Sequence, residues 1–414
     1  MAWQFATGGP VRSTPILADG VIYATSNDGN LYALDATSGA EKWRMPLGQG
    51  SRSTPTVDAG VVYVGGNDRY LYAVDAVTGE VRWRFETISR LVSSPTVSGD
   101  TVYVGGTDQV VFAIATDTGL ERWHSLVLED FITSPTIVGD LVVVGNSGMT
   151  SETSERAKEE DTIGQLVALD ARTGAYLWTL PDVEDKDAAP SPTVEGGVEA
   201  VATGAVDTNV VVVVNTVPED GASTDITATA NQGLKRDENV NSDANYLTGK
   251  KVKISYFDAP AAYVNGVIYS SSMFVGAESG RIGGLLTATD PATGESVGEW
   301  GFATLNPVLS SPTVANNMAY VGTQEGYLYA VDLETGIERW GFAAQDQVFA
   351  SASIAGDTVY VATMDGSIHA LDAATGVTRW TYKTDGAIWS AVTVANGFVY
   401  AGSDDGTIYA IGGA

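Results

Sequence analysis

Cysteine is absent from this 414-residue sequence, so no disulfide can staple the fold and no thiolate can hold a metal or redox centre. Histidine occurs only at His124 and His369. Both sit in strand-like registers, which leaves neither a histidine metal cluster nor a Ser-His-Asp set to propose. Positive charge is scarce: 22 Lys and Arg stand against 51 Asp and Glu, for a net charge of −29. Such a surface repels phosphates at long range and argues against nucleic acid as a partner. It suits a protein kept soluble in high salt, where self-repulsion is screened. That points to a salt-loving archaeon as the source, with an ordinary acidic secreted protein as the alternative. No stretch approaches the roughly 20 apolar residues of a membrane span; VVVVV at 210–214 is a buried strand at most. The opening MAWQFATGG has no basic n-region and no apolar h-region, so no signal sequence is expected in this chain.

What the chain does have is one sentence repeated. LYAVDAVTGEVRW (71–83) returns as LYALDATSGAEKW (31–43), VFAIATDTGLERW (111–123), LVALDARTGAYLW (166–178), LYAVDLETGIERW (328–340) and IHALDAATGVTRW (368–380), with a looser copy at 286–300. The alternating apolar residues read as a buried strand. Ala lets sheets approach, Asp accepts backbone N–H groups of the following turn, and Gly supplies a positive φ there. Trp opens the next strand with a large apolar face and one N–H that needs a partner.

A second marker precedes each copy: STPI (13–16), STPTV (53–57), SSPTV (93–97), TSPTI (133–137), PSPTV (190–194) and SSPTV (310–314), with remnants SASI (351–354) and SAVTV (390–394). A weaker candidate lies at Ala259-Pro260. A strand such as VVYVG follows, and then a turn rich in Asp and Gly, as in Asn27-Asp28-Gly29 and Asp365-Gly366. One unit is therefore four short strands, and Trp43, Trp83 and Trp123 mark its 40-residue period. The fold class is all-β: an eight-bladed β-propeller of four-stranded antiparallel blades filling residues 1–414. The last repeat stops without its Trp strand, whereas the chain opens on Trp3-Gln4-Phe5. The N-terminal strand is thus expected to complete the last blade and leave no free edge.

Two stretches break the period. Residues 148–162 read as a charged loop inserted in blade four. Residues 195–258 read as a β-rich insertion within blade five, with strand-like NVVVVVN (209–215), DITATAN (225–231) and KKVKISYF (250–257). A degenerate ninth blade is the alternative. Within this insertion Lys235, Arg236, Lys250, Lys251 and Lys253 give a locally positive segment. They would either clamp the insertion to the acidic body or form a contact for an acidic partner.

The spacing Ala-x-Asp-x-x-x-Gly-x-x-x-Trp resembles the tryptophan-docking motif of the pyrroloquinoline-quinone (PQQ) propellers. It is complete at Ala33/Asp35/Gly39/Trp43, Ala73/Asp75/Gly79/Trp83, Ala168/Asp170/Gly174/Trp178, Ala330/Asp332/Gly336/Trp340 and Ala370/Asp372/Gly376/Trp380. Ala115 replaces Asp in the third copy, and two extra residues precede Trp300 in the sixth. The resemblance implies that these tryptophans lock blades together. It also implies one of two functions. Quinoprotein dehydrogenases hold PQQ and usually calcium in the tunnel, with an Asp as base. BamB-type relatives carry no cofactor and bind other proteins. The vicinal Cys pair of many dehydrogenases and any c-type haem motif are missing here. The expected function is therefore a non-catalytic, extracellular or cell-surface, monomeric scaffold with a protein partner and no cofactor. A PQQ-dependent dehydrogenase is the alternative.

One candidate site follows from the ring itself. The residues three before each Pro marker should stand at the tunnel mouth, and with Pro192 as the blade-five marker this gives Ala189 there. Arg12, Arg52, Phe349 and Trp389 come from consecutive blades and would share one sector, whose chemistry suits a planar anion or cofactor. The alternative is that the arginines pair with carboxylates and the aromatics pack between blades. The Asp-Gly turns at Asp28, Asp365 and Asp405 could bind cations at the rim but are already explained as turns.

Overall fold

A computed structural model describes residues 1–127, 131–147, 165–180, 252–256, 259–276 and 282–412. They form eight four-stranded antiparallel blades. In blade one the strands run, from the inside outward, Ile16–Ala18, Val21–Thr25, Asn30–Asp35 and Glu41–Pro46. The second and third strands are buried on both faces because each blade is sandwiched between two others, while the outer strand alternates between exposed and covered residues. Blade eight is completed by Trp3–Ala6, which pairs with Thr407–Gly412 in the register Trp3↔Ala410. The ring closes as its two ends predict.

Turn chemistry follows the order of the residues. Where Asp19-Gly20, Asn265-Gly266 or Asn396-Gly397 joins the two inner strands, both central residues have positive φ, as a type I′ hairpin requires. Beyond the third strand, the motif Asp takes over. Asp75 Oδ1 accepts the backbone N–H of Val77 and of Thr78, at 3.0 and 2.9 Å. In the outer strand the register slips by one residue opposite Ala33/Leu34, Ala73/Val74, Ala330/Val331 and Ala370/Leu371. The residue that the slip leaves unpaired is the cation just before Trp. It reaches back to the motif Asp: Lys42 to Asp35, Arg82 to Asp75, Arg339 to Asp332 and Arg379 to Asp372.

The docking tryptophans lock successive blades. The indole N–H of Trp3 donates to the Ala36 carbonyl at 2.9 Å, Trp43 to Ala76 at 3.1 Å, Trp83 to Thr116 at 2.8 Å, and Trp340 to Ala373 at 3.0 Å. Each ring lies on the motif Gly of the next blade, where a Cβ on Gly79 would come within 2.7 Å of Trp43. The inner strands are tied as well, by the hydroxyls beside the Pro marker. Thr96 Oγ1 donates to the Pro135 carbonyl at 2.6 Å and Thr313 Oγ1 to Ala352 at 2.8 Å. Thr54 Oγ1 accepts the Thr14 N–H and Ser94 Oγ accepts the Thr54 N–H, both at 3.0 Å.

Blades four and five depart from the pattern. Val252–Tyr256 pairs with Val267–Gly276 of blade five, and its Tyr256 pairs with Ser147 of blade four. The two blades therefore share one ten-stranded sheet. This strand agrees with the reading of KKVKISYF. The segments 209–215 and 225–231, the 148–162 loop, and Lys235, Arg236, Lys250 and Lys251 lie outside the described residues; Lys253 is placed only by its backbone register with Val275. One expectation is corrected. The inner strand of blade five is Ala262–Val264, preceded by Ala259-Pro260, so the place expected for 190–194 with Pro192 is already filled; that segment lies outside the described residues. The reason is the hairpin: Asn265-Gly266 alone joins this strand to Val267–Gly276, so the marker must lie immediately upstream of it. Ala261 then does what Pro95 and Pro135 do elsewhere, accepting a hydrogen bond from Thr136 Oγ1 at 2.7 Å. The weak candidate marker at Ala259-Pro260 belongs to blade five itself and not to a ninth blade.

Candidate functional site

One face of the ring is built from the links that enter each inner strand and the turns between second and third strands. Backbone hydrogen bonds tie the two together, as from Asn27 N–H to the Pro10 carbonyl and from Asp404 N–H to the Ala387 carbonyl. Arg12, Arg52, Phe349 and Trp389 all stand in such links.

Three of the four meet directly. The Arg12 guanidinium lies 4.9 Å from the centroid of the Trp389 ring. Phe349 and Trp389 pack with centroids 5.3 Å apart and planes tilted by 34°. The residue that organises them is Asp404. Arg12 donates to it through both Nε and a terminal nitrogen, at 2.7 and 2.9 Å, and Trp389 Nε1 donates to Oδ2 at 2.9 Å. Burial would raise the Asp404 pKa, but hydrogen bonds from Arg12 and Trp389, together with the fields of Arg12 and Arg52, hold it below the usual carboxylate range. Arg12 is raised in turn, chiefly by its bond to Asp404. Arg52 is exposed and forms no ion pair among the described residues.

Sequence reasoning missed Asp404, yet the repeat contained the clue. The equivalent turn position holds Asn27, Asn67, Thr107, Gln324 and Met364 in other blades, and only in blade eight, beside the arginine of blade one, does it become acidic. A planar, polyanionic quinone does not fit the sector as built. The indole is already covered by Arg12 and packed on Phe349, and the guanidinium already holds a carboxylate.

The remaining candidates are structural. Asp28 accepts from Tyr32 OH at 2.6 Å and from the Gly8 N–H at 2.7 Å, Asp405 accepts from Tyr409 OH at 2.8 Å, and Asp365 pairs with Lys383 at 2.5 Å. Burial, and then the bond to Asp28, pushes Tyr32 up to about 12. His124 pairs with Glu121 on the surface. His369 bonds Thr381 through Nδ1, and burial lowers its pKa. Among the described residues no three His, Cys, Asp or Glu side chains gather as a metal site, and no helix is long and apolar enough to cross a membrane.

The ring is similar to several solved propellers. BamB from Moraxella catarrhalis superposes with a TM-score of 0.62 at 17% identity, over 99% of this chain and 98% of that one. The computationally designed Ika8 protein gives 0.63 at 13% identity, over 98% of both chains. Quinohemoprotein alcohol dehydrogenase from Comamonas testosteroni gives 0.61 at 15% identity, over 100% of this chain and 76% of that one. At such identities the likeness shows the fold. No curated protein matches the sequence. The family described as outer membrane protein assembly factor BamB matches residues 1–51, 27–245, 231–353 and 324–414. By its repeats, its closed ring and this match along its whole length, the chain belongs to that PQQ-like propeller family.

Proposed function

We propose that this propeller is a non-catalytic scaffold, extracellular or at the cell surface, that binds a protein partner as a monomer and holds no cofactor. The family and the fold support both a protein-binding scaffold and a quinoprotein dehydrogenase. The observation that favours the scaffold is the use of the polar groups around the tunnel. Thr54, Ser94, Thr96 and Thr313 tie neighbouring blades, and Arg12 is neutralised by Asp404. This chemistry stiffens the ring and leaves recognition to the loops. The BamB relative lends the reading a precedent by its own name, which is that of an assembly factor. Lys235, Arg236, Lys250, Lys251 and Lys253 remain candidate partner contacts. A net charge of −29 gives nucleic acid no foothold and suits high salt. The melting temperature is then expected to rise from low to molar KCl, and a flat profile would favour an ordinary acidic secreted protein. The function itself is tested by a dye-linked dehydrogenase assay with added PQQ and Ca²⁺ over alcohols and sugars. Dye reduction no faster than the protein-free control is expected, and saturable turnover would overturn the scaffold.

A further inference from the structure

We propose that the outer edge of blade four takes an extended segment of the partner that carries an arginine and is otherwise uncharged, a reading that rests on the scaffold function. The outer strands of the ring are guarded by charge. Of the eight, only Tyr176–Leu180 of blade four and the four-residue Trp3–Ala6 carry no charged side chain. Blade four departs most at the residue before its docking Trp, which the register slip leaves unpaired. In blades one, two, three, six and seven that residue is Lys42, Arg82, Arg122, Arg339 and Arg379, each paired to an acid of its own blade. In blade four it is Leu177, 51% exposed.

Blade seven shows what is missing. There Arg379 stands between two carboxylates and donates to Asp357 at 2.8 Å and to Asp372 at 2.7 Å. Blade four has both acids in the same places. Asp140 precedes Leu141, which pairs with Asp170, just as Asp357 precedes Thr358, which pairs with Asp372. Leu177 is skipped between the pairs Ala168↔Trp178 and Leu169↔Tyr176, as Arg379 is between Ala370↔Trp380 and Leu371↔Thr378. Two turns thus carry the carboxylates of a guanidinium site whose arginine is absent. Thr358, which accepts a third bond from Arg379 at 2.7 Å, is replaced by Leu141, so the surroundings are more apolar.

Neighbouring groups do not supply the missing charge. Asp140 and Asp170 form no ion pair among the described residues. On blade three, Arg122 is held by Asp100 at 2.6 Å and His124 by Glu121 at 2.7 Å. The blade-five turn on which Trp178 docks adds two more acids, Asp290 and Glu295. Against these four carboxylates the turn after Asp170 offers Arg172, exposed and without an ion pair among the described residues. A partner arginine entering over Leu177 would fork onto Asp140 and Asp170 as Arg379 does onto its pair. Its apolar neighbours would cover Leu177 and follow an edge that pairs with no other described strand.

The test is fluorescence-anisotropy titration of a fluorescein-labelled Gly-Ser-Val-Arg-Val-Thr-Val-Gly-Ser peptide with the full chain at about 0.15 M salt, against the same peptide with Gln for Arg. Saturable binding is expected, weakened about ten-fold or more by Gln in the peptide and by Leu177→Arg in the protein. Leu177→Arg rebuilds the pairing of blade seven, so it should melt no lower than the wild type while filling the site from within. Non-specific attraction to a chain of charge −29 would survive that single substitution. Asp140→Asn, at an exposed turn residue, probes the acidic half independently. No saturable binding, equal binding of the two peptides, or binding untouched by both variants would overturn the site. Self-association of the chain that Leu177→Arg abolishes would also overturn it, by giving the edge to a second copy. A partner captured equally by wild type and Leu177→Arg would leave the scaffold standing and remove this site. PQQ-dependent turnover would instead remove the scaffold.

Discussion

The seam between blades one and two and the seam between blades five and six are written with the same residue types, yet only the first closes fully. At the first, Trp43 donates to the Ala76 carbonyl, lies 5.8 Å from Tyr23 at 47°, and covers Gly79. At the second, Trp300 Nε1 is buried without a partner, its ring meets Tyr269 at 5.2 Å and 73°, and the nearest indole atom to a Cβ on Gly336 is Cδ1 at 3.5 Å. Two extra residues stand between Gly294 and Trp300, and the strand takes them up as a wider bulge: Thr287 pairs with Gly301 as Tyr32 pairs with Arg44, but Thr289 pairs with Ser296. The tryptophan that follows the wider bulge packs on its tyrosine but lacks the hydrogen bond that the regular copies make.

The largest expected effect contrasts the two tryptophans. Trp43→Ala should cost about 3–5 kcal/mol by denaturant unfolding, and Trp300→Ala clearly less; equal losses would break the comparison. A gentler contrast uses the glycines. Gly79→Ala forces a Cβ into Trp43 at positive φ, whereas Gly336→Ala meets nothing closer than 3.3 Å, so only the first should lower the melting temperature well beyond the backbone strain that both share. At the mouth, Asp404→Asn should cost about 1 kcal/mol near neutral pH. Because the folded-state pKa of Asp404 is depressed, its stabilisation is complete above about pH 4 and is lost as pH falls through the folded value. Wild type and variant should therefore converge in acid, and a constant gap would refute the assignment.

Blade three supplies a smaller test of the same kind, a repeat position against its departing copy. Tyr32 and Tyr72 each donate to the Asp of the preceding turn, but Phe112 cannot, and Asp108 Oδ2 is left buried without a partner. Phe112→Tyr should add about 1 kcal/mol of stability. Smallest of all, Ala59 occupies the first position of a type I′ turn at φ 45°, where other blades place Asp19, Asn265 or Asn396. Ala59→Asn should add roughly 0.5 kcal/mol, read from the same unfolding curves.

Almost the whole ring was legible because each repeat states its strand, turn and docking residues at fixed spacing, and Trp3 at one end answers the missing strand at the other. Blade five misled because PSPTV imitates a marker so well; the true inner strand follows Ala259-Pro260, and only the short Asn265-Gly266 hairpin betrays it. The mouth was half legible. Reading three residues before each marker singled out Arg12, Phe349 and Trp389, which touch in the structure because ring order turns sequence period into adjacency. It could not find Asp404, which comes from a different turn of blade eight and meets Arg12 only through the closure of the ring. The roles of the marker hydroxyls were equally hidden, because a Ser or Thr before Pro reads as a turn residue until the neighbouring carbonyl is in view.

The protein-binding account is tested most directly by a photo-cross-linking amino acid placed at Ile88, 76% exposed on the link that enters blade three, and at Val77, 84% exposed in the turn after Asp75 on the opposite face. In extract from the source cells, one protein species should cross-link from position 88 and be absent from position 77. No discrete species from either position, or the same species from both faces, would contradict it.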